Sequence, residues 1–128
     1  MCWISAKPPI GKVAKKDKKV YKVLSVKDGM IYSPIWSFFK WKIGLTEKAD
    51  IRLFADQMIS SGLHSFSRKP YKKRNKDGVI MWKNLVGGKL GYYPNDMLFE
   101  CVIPKGSIYY ENEYGECVSD HLKPVKQL

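Results

Sequence analysis

The stretch from Ile35 to Ile43 alternates with a period of two. Ile35, Ser37, Phe39, Trp41 and Ile43 fall on one face, and Trp36, Phe38, Lys40 and Lys42 on the other. That pattern predicts a half-buried strand with two basic groups turned outward, and Gly44 ends it. Before it, Val20-Tyr21-Lys22-Val23-Leu24-Ser25-Val26 is rich in β-branched residues and predicts a strand. Asp28-Gly29 predicts a tight turn and Met30-Ile31-Tyr32 the return strand. From Thr46 the period changes. Thr46 is a cap residue, Glu47 and Asp50 sit where a helix dipole favours acids, and Ile51, Ala55, Met58 and Ile59 fall at helical spacing. With Gly62 as a stop, the spacing predicts one helix over 47–60.

Beyond that helix, 63–67 reads as a short strand, 68–76 as a basic loop, and 79–82 as a strand. The stretch 83–96, with Gly87-Gly88, Gly91 and Tyr92-Tyr93-Pro94, reads as a long loop. Residues 97–103, 107–110 and 116–119, separated by Pro104-Lys105-Gly106 and 111–115, read as a C-terminal three-stranded meander, and 123–126 as a tail. Residues 5–19, with Pro8-Pro9, Gly11 and Lys15-Lys16-Asp17-Lys18-Lys19, read as a basic N-terminal arm, too polar for a core and open to flexibility. The expected fold class is therefore α+β: mostly antiparallel sheet with the helix packed on one face.

Length changes that picture little: 128 residues make a single domain. No apolar run approaches the length of a membrane span. The N-terminus is too short in apolar residues for a secretory signal before Lys7-Pro8-Pro9, so a cytoplasmic protein is expected. The three cysteines are odd in number and widely spaced, without C-x-x-C or finger spacing, so neither a zinc site nor another cofactor is expected. Cys101 and Cys117, on strands expected to flank 107–110, would stand too far apart for a disulfide and would remain small buried hydrophobes.

Charge changes the picture most. Lys and Arg number 23 against 12 acids, a formal net charge of +11. Residues 7–27 carry eight Lys against Asp17 alone, and 68–76 carries six positive groups and no acid. Six acids (Asp96, Glu100, Glu111, Glu113, Glu116 and Asp120) face only Lys105 in 94–120. Such an asymmetry favours an anionic partner: a nucleic acid, a nucleotide or an acidic host protein. A basic surface that serves solubility alone gives the same numbers.

Arg68, Lys69, Lys72, Lys73, Arg74 and Lys76 supply candidate phosphate contacts, and Tyr71 a stacking ring. Trp36 and Phe38 would add stacking if exposed, and are core anchors otherwise. No signature of a known nucleic-acid module or phosphate loop is present, so any binding would go through backbone charge with little sequence reading. Cys2 becomes an N-terminal nucleophile if Met1 is removed, with its own amine or His64 as base. The alternative is that both are structural. His121 beside Asp120 is a weaker pair, because strand neighbours point to opposite faces. Glu111, Glu113 and Glu116 cluster at a turn; paired carboxylates can do acid/base work or hold a divalent cation, though wet acids are ordinary at turns.

Met1-Cys2, Val20-Tyr21-Lys22-Val23-Leu24, Gly62-Leu63-His64-Ser65-Phe66, and Cys101-Val102-Ile103-Pro104-Lys105-Gly106-Ser107 followed by Val118-Ser119-Asp120 resemble a set of small proteins encoded by phages and prophages of gut Bacteroidota. The resemblance implies a viral or prophage setting and no particular chemistry. Residues 68–76 and the Gly-rich stretch after them depart from it. In that setting a small basic protein is expected to bind a host component or to sequester a nucleotide signal as counter-defence. The leading expectation is a non-enzymatic protein that binds an anionic partner, with the Cys2–His64 enzyme and the nucleotide sponge as alternatives.

Overall fold

A computed structural model describes residues 3–33, 40–55, 58–85 and 87–128. The described residues form an all-β protein, with no helix among them. In chain order the strands are β1 (Trp3–Ile4), β2 (Lys12–Val13), β3 (Lys18–Lys27), β4 (Met30–Tyr32), β5 (Lys40–Trp41), β6 (Glu47–Lys48), β7 (Arg52–Ala55) and β8 (Met58–Ser61). They continue as β9 (Leu63–Phe66), β10 (Tyr71–Arg74), β11 (Ile80–Lys83), β12 (Lys89–Tyr92), β13 (Asp96–Ile103), β14 (Ile108–Glu111), β15 (Glu116–Ser119) and β16 (His121–Gln127).

One large sheet runs β2-β14-β15-β9-β3-β13-β16-β6, and β4 and β5 extend it from β3. Its interior gathers Val20 and Leu24 of β3, Leu63 of β9, Phe99, Cys101 and Ile103 of β13, Cys117 of β15 and Leu122 of β16. Side chains from strands that are not neighbours in the sheet meet in one cluster, so the sheet curls around it. Two three-stranded sheets, β1-β8-β7 and β10-β11-β12, complete the fold. The first packs Trp3 and Ile59 against Val118. The second packs Trp82 and Leu90 against Val23, Leu98 and Tyr21. Strands β3 and β13 are thus apolar on both faces, which is why 20–26 and 97–103 read as nearly continuous apolar runs.

Several expectations are corrected. The α+β class fails because 47–60 is β6, β7 and β8, not a helix. The register of β7 on β8 shifts between Arg52 and Leu53 and again between Leu53 and Ala55. Each bulge adds a residue to the alternation, so a strand pair that buries Ile59 and half-buries Met58, with Ile51 half-buried just before it, copies helical spacing. Ser60 and Ser61 tie the pair by donating to the Arg52 and Asp50 carbonyls. Gly62 is not a helix stop. Its φ is +139°, and a Cβ there would run into Val118.

The three-stranded meander also fails. β14 and β15 do form a hairpin, but β13 lies between β3 and β16, and β14 takes β2 as its other neighbour. Two strands, β9 and β3, therefore separate Cys117 from Cys101, rather than the expected one; both thiols are free and buried. Finally, 83–96 holds β12, and the expected tail 123–126 belongs to β16, paired along β13. Of the expected strand 35–43, Lys40–Trp41 is β5, with Trp41 buried and Lys40 exposed; Lys42 and Ile43 lie beyond it, with Ile43 exposed, and 35–39 lie outside the described residues. Trp36 and Phe38 lie outside the described residues.

Candidate functional site

The basic run 68–76 is not a loop. Tyr71–Arg74 is an edge strand paired to β11 with Tyr71 opposite Lys83, Lys72 opposite Trp82, Lys73 opposite Met81 and Arg74 opposite Ile80. Directly opposed residues share a face, so the register sorts the cations. Lys72 lies on the inner side, its Nζ 4.1 Å from the Tyr93 ring centroid and 5.3 Å from that of Trp82. Arg74 lies on that side too, and its guanidinium donates to the carbonyl of Gly78 at 2.9 Å. Tyr71 and Lys73 point outward.

On the far side of β11, Met81 faces Tyr92, Trp82 faces Gly91, and after a bulge Lys83 faces Lys89. The outer face of β10-β11-β12 therefore carries Tyr71, Lys73, Met81, Lys83, Lys89 and Tyr92, and no acid. Tyr71 and Tyr92 are 42% and 43% exposed. Lys89 lies over Tyr92, its Nζ 4.7 Å from the ring centroid and 2.7 Å from the hydroxyl. Arg68, Lys69 and Lys76 are exposed beside this face, with the Arg68 stem against Gly115.

Asp96 holds the small sheet in place. Its carboxylate accepts from the Ser25 hydroxyl and from the Tyr92 N–H, and its carbonyl accepts the Trp82 indole N–H at 2.6 Å. Gly91 is required beneath it, since a Cβ would meet the Asp96 side chain. The inner face is thus locked to β3 and β13, which presents the other to solvent.

The N-terminal arm is ordered. β2 pairs with β14, the Ala14 N–H donates to Ser107 O, the Gly106 N–H to Ala14 O, and the Lys105 N–H to the Asp17 carboxylate. Glu113 accepts from Ser5 and from the Ala6 N–H. Glu111 joins the two basic segments: one carboxylate oxygen lies 3.4 Å from Lys18 Nζ, and the other accepts from Ser67, next to Arg68. Glu116 is half-buried, and burial raises its carboxyl. The acidic turn 111–116 is spent on such structural contacts. Among the described residues no group of three His, Cys, Asp or Glu is placed to hold a metal ion.

Cys2 lies outside the described residues. His64 sits on β9, where burial and the Lys22 charge bring its ring down to about 4. A ring held neutral so far below pH 7 is a poor general base. Asp120 and His121 do meet, at 2.8 Å between Oδ1 and Nδ1, against the expectation of opposite faces. Asp120 is a bend between β15 and β16, so strand alternation does not apply there.

One residue passed over by the sequence reading is Lys22. It shares the inward face of β3 with Val20 and Leu24. Its ammonium donates to the His64 carbonyl at 2.6 Å and lies 5.6 Å from the Trp41 ring centroid. Burial lowers it to about 8, against the pull of Cys101. A lysine at the centre of an apolar i, i+2, i+4 row was the available signal. The thiols of Cys101 and Cys117 are pushed up to about 12 by burial, which leaves both unreactive. Lys83, Lys89 and Tyr92 were also missed. Their signal was Lys83 at strand alternation after Met81, with a second Lys and Tyr bounding a short Leu-Gly segment.

Comparisons of the chain with protein-family models, with curated proteins and with solved structures return no match. No helix of the structure is long and apolar enough to cross a membrane.

Proposed function

We propose that this protein binds single-stranded nucleic acid without sequence preference, through the outer face of β10-β11-β12. One observation carries the reading: Tyr71 and Tyr92 alternate on that face with Lys73, Lys83 and Lys89, and no carboxylate interrupts them. Rings at this exposure stack on unpaired bases of any identity, and the ammonium groups between them neutralise the backbone. Lysines also protect sheet edges against unwanted pairing. That explains those of β10; Lys83, on the central strand, donates to the Gly87 carbonyl at 3.1 Å. The acid-free face with its exposed rings favours a single strand over a duplex, whose bases are stacked away from a sheet surface. Arg68, Lys69 and Lys76 extend the positive field around it. A cytoplasmic partner in a phage-infected cell accords with the resemblance noted above.

The test is titration of a labelled mixed-sequence single strand over a range of salt. Three lysine contacts give a slope of log affinity on log salt of about −2, steeper if Arg68, Lys69 or Lys76 take part. Replacing Tyr71 or Tyr92 by Ala removes about 1–3 kcal/mol each if each stacks one base. A salt-independent affinity, or double-tyrosine replacement without effect, would overturn the reading.

A further inference from the structure

The stretch 12–19 folds back against Tyr109 and leaves a concavity of about 820 Å³, lined by Lys12, Lys15, Lys16, Lys18 and Lys19 with Asp17 as the sole acid. That volume is within the range of small-molecule sites. The five lysines are not equivalent. Lys18 is paired with Glu111 and Lys19 with Glu100, at 3.4 and 3.3 Å. Lys12, Lys15 and Lys16 have no ion pair among the described residues, and Asp17 is engaged by the Lys105 N–H. The backbone bearing the free cations is fixed on both sides, by β2 on β14 and by β3 on β13, so Lys15 and Lys16 occupy a bend between anchored strands. Little order has to be created when an anion enters.

We infer that this concavity is a second anion site, separate from the β10-β11-β12 face, and that it takes a short phosphate chain such as that of a nucleoside polyphosphate. Three unpaired ammonium groups within five residues match a chain of two or three phosphates better than one isolated phosphate. The base is not what is recognised. The one aromatic ring of the site, Tyr109, packs against the main core, so it is not free to stack.

Calorimetric titration with inorganic tripolyphosphate, pyrophosphate, orthophosphate and ATP tests this directly. Tripolyphosphate and ATP are expected to bind alike, with pyrophosphate about tenfold weaker and orthophosphate weaker again, all losing affinity as salt rises. The double replacement Lys15→Gln with Lys16→Gln, both on an exposed bend, should cut tripolyphosphate affinity about tenfold or more and leave the melting temperature unchanged. The Tyr71→Ala, Tyr92→Ala variant should bind tripolyphosphate as the parent does. This arm separates the two sites, since loss of oligonucleotide binding alone leaves the phosphate-chain site standing. Absence of tripolyphosphate binding, insensitivity to the lysine replacements, or a large preference for ATP over tripolyphosphate would overturn it.

Discussion

In the stretch 12–19 the main chain is anchored at both ends, Asp17 is drawn onto a backbone N–H, and Lys18 and Lys19 are matched by Glu111 and Glu100. The run 68–76 itself contains no acid, and β-pairing divides its residues instead: Lys72 and Arg74 to the inner side, Tyr71 and Lys73 to the outer. Two runs of similar composition thus become different objects. One is a concavity with its charges gathered on a bend; the other is half of a sheet face completed by Lys83, Lys89 and Tyr92 from two further strands. The count of positive charges does not separate them. Pairing register and the position of the acids do. The two regions are linked but not merged, with Glu111 standing between Lys18 and Ser67.

The most severe way to break the contrast is Trp82→Ala. The indole is buried, seats the small sheet on Val23 and Leu98, and donates to Asp96 O. Its loss is expected to cost about 3–5 kcal/mol of stability in denaturant unfolding. Oligonucleotide binding should fall with it, while protein that remains folded keeps tripolyphosphate binding. Equal loss of both ligands would show that the regions act as one. Gly91→Ala is milder, because the added methyl pushes on Asp96 without emptying the core; about 1–3 kcal/mol is expected, read in the same way.

A finer test separates adjacent lysines. Lys73→Gln should weaken single-strand binding and reduce the salt slope by about 0.7, whereas Lys72→Gln, at the position paired with Trp82 on the inner side, should leave the slope unchanged. Equal effects would mean that the sorting by face does not govern binding.

Lys22 supplies the opposite extreme of lysine environment, and its signature is in the pH dependence of stability. Its folded value of about 8 lies below the ordinary 10.5. Between those values the unfolded chain holds the extra proton, so stability from this group rises with pH through that window. Lys22→Met should flatten that rise in denaturant midpoints. His64 behaves likewise lower on the scale. It is neutral in the fold down to about 4 while the unfolded ring protonates near 6.5, so stability falls as pH drops between the two. His64→Gln should remove that loss, and unchanged pH profiles in both variants would refute the burial of these groups.

Much of the strand content was legible from the chain. The runs at 20–26, 97–103 and 116–119 are strands, and 79–82 is one displaced to Ile80–Lys83, because β-branched and apolar residues were bounded by turn residues; the Asp28-Gly29 turn sits where expected. The segment 47–60 was misread because two bulges between β7 and β8 disturb the alternation that marks a strand. Of the site, Tyr71 and the cations of 68–76 were visible, but not which of them face outward. Lys83, Lys89 and Tyr92 were hidden in an expected strand end and loop.

Local sequence fixed the positive charge, the two places where it is concentrated, and most of the extended segments, because these depend on composition and near neighbours alone. Strand order, the curl of the large sheet, the pairing of Lys83 with both Tyr71 and Lys89, and the withdrawal of Glu100 and Glu111 onto the arm came only with tertiary structure. The reason is physical: each is a contact between residues distant in the chain, chosen by competition among many possible strand pairings. No single segment carries the energy that decides it.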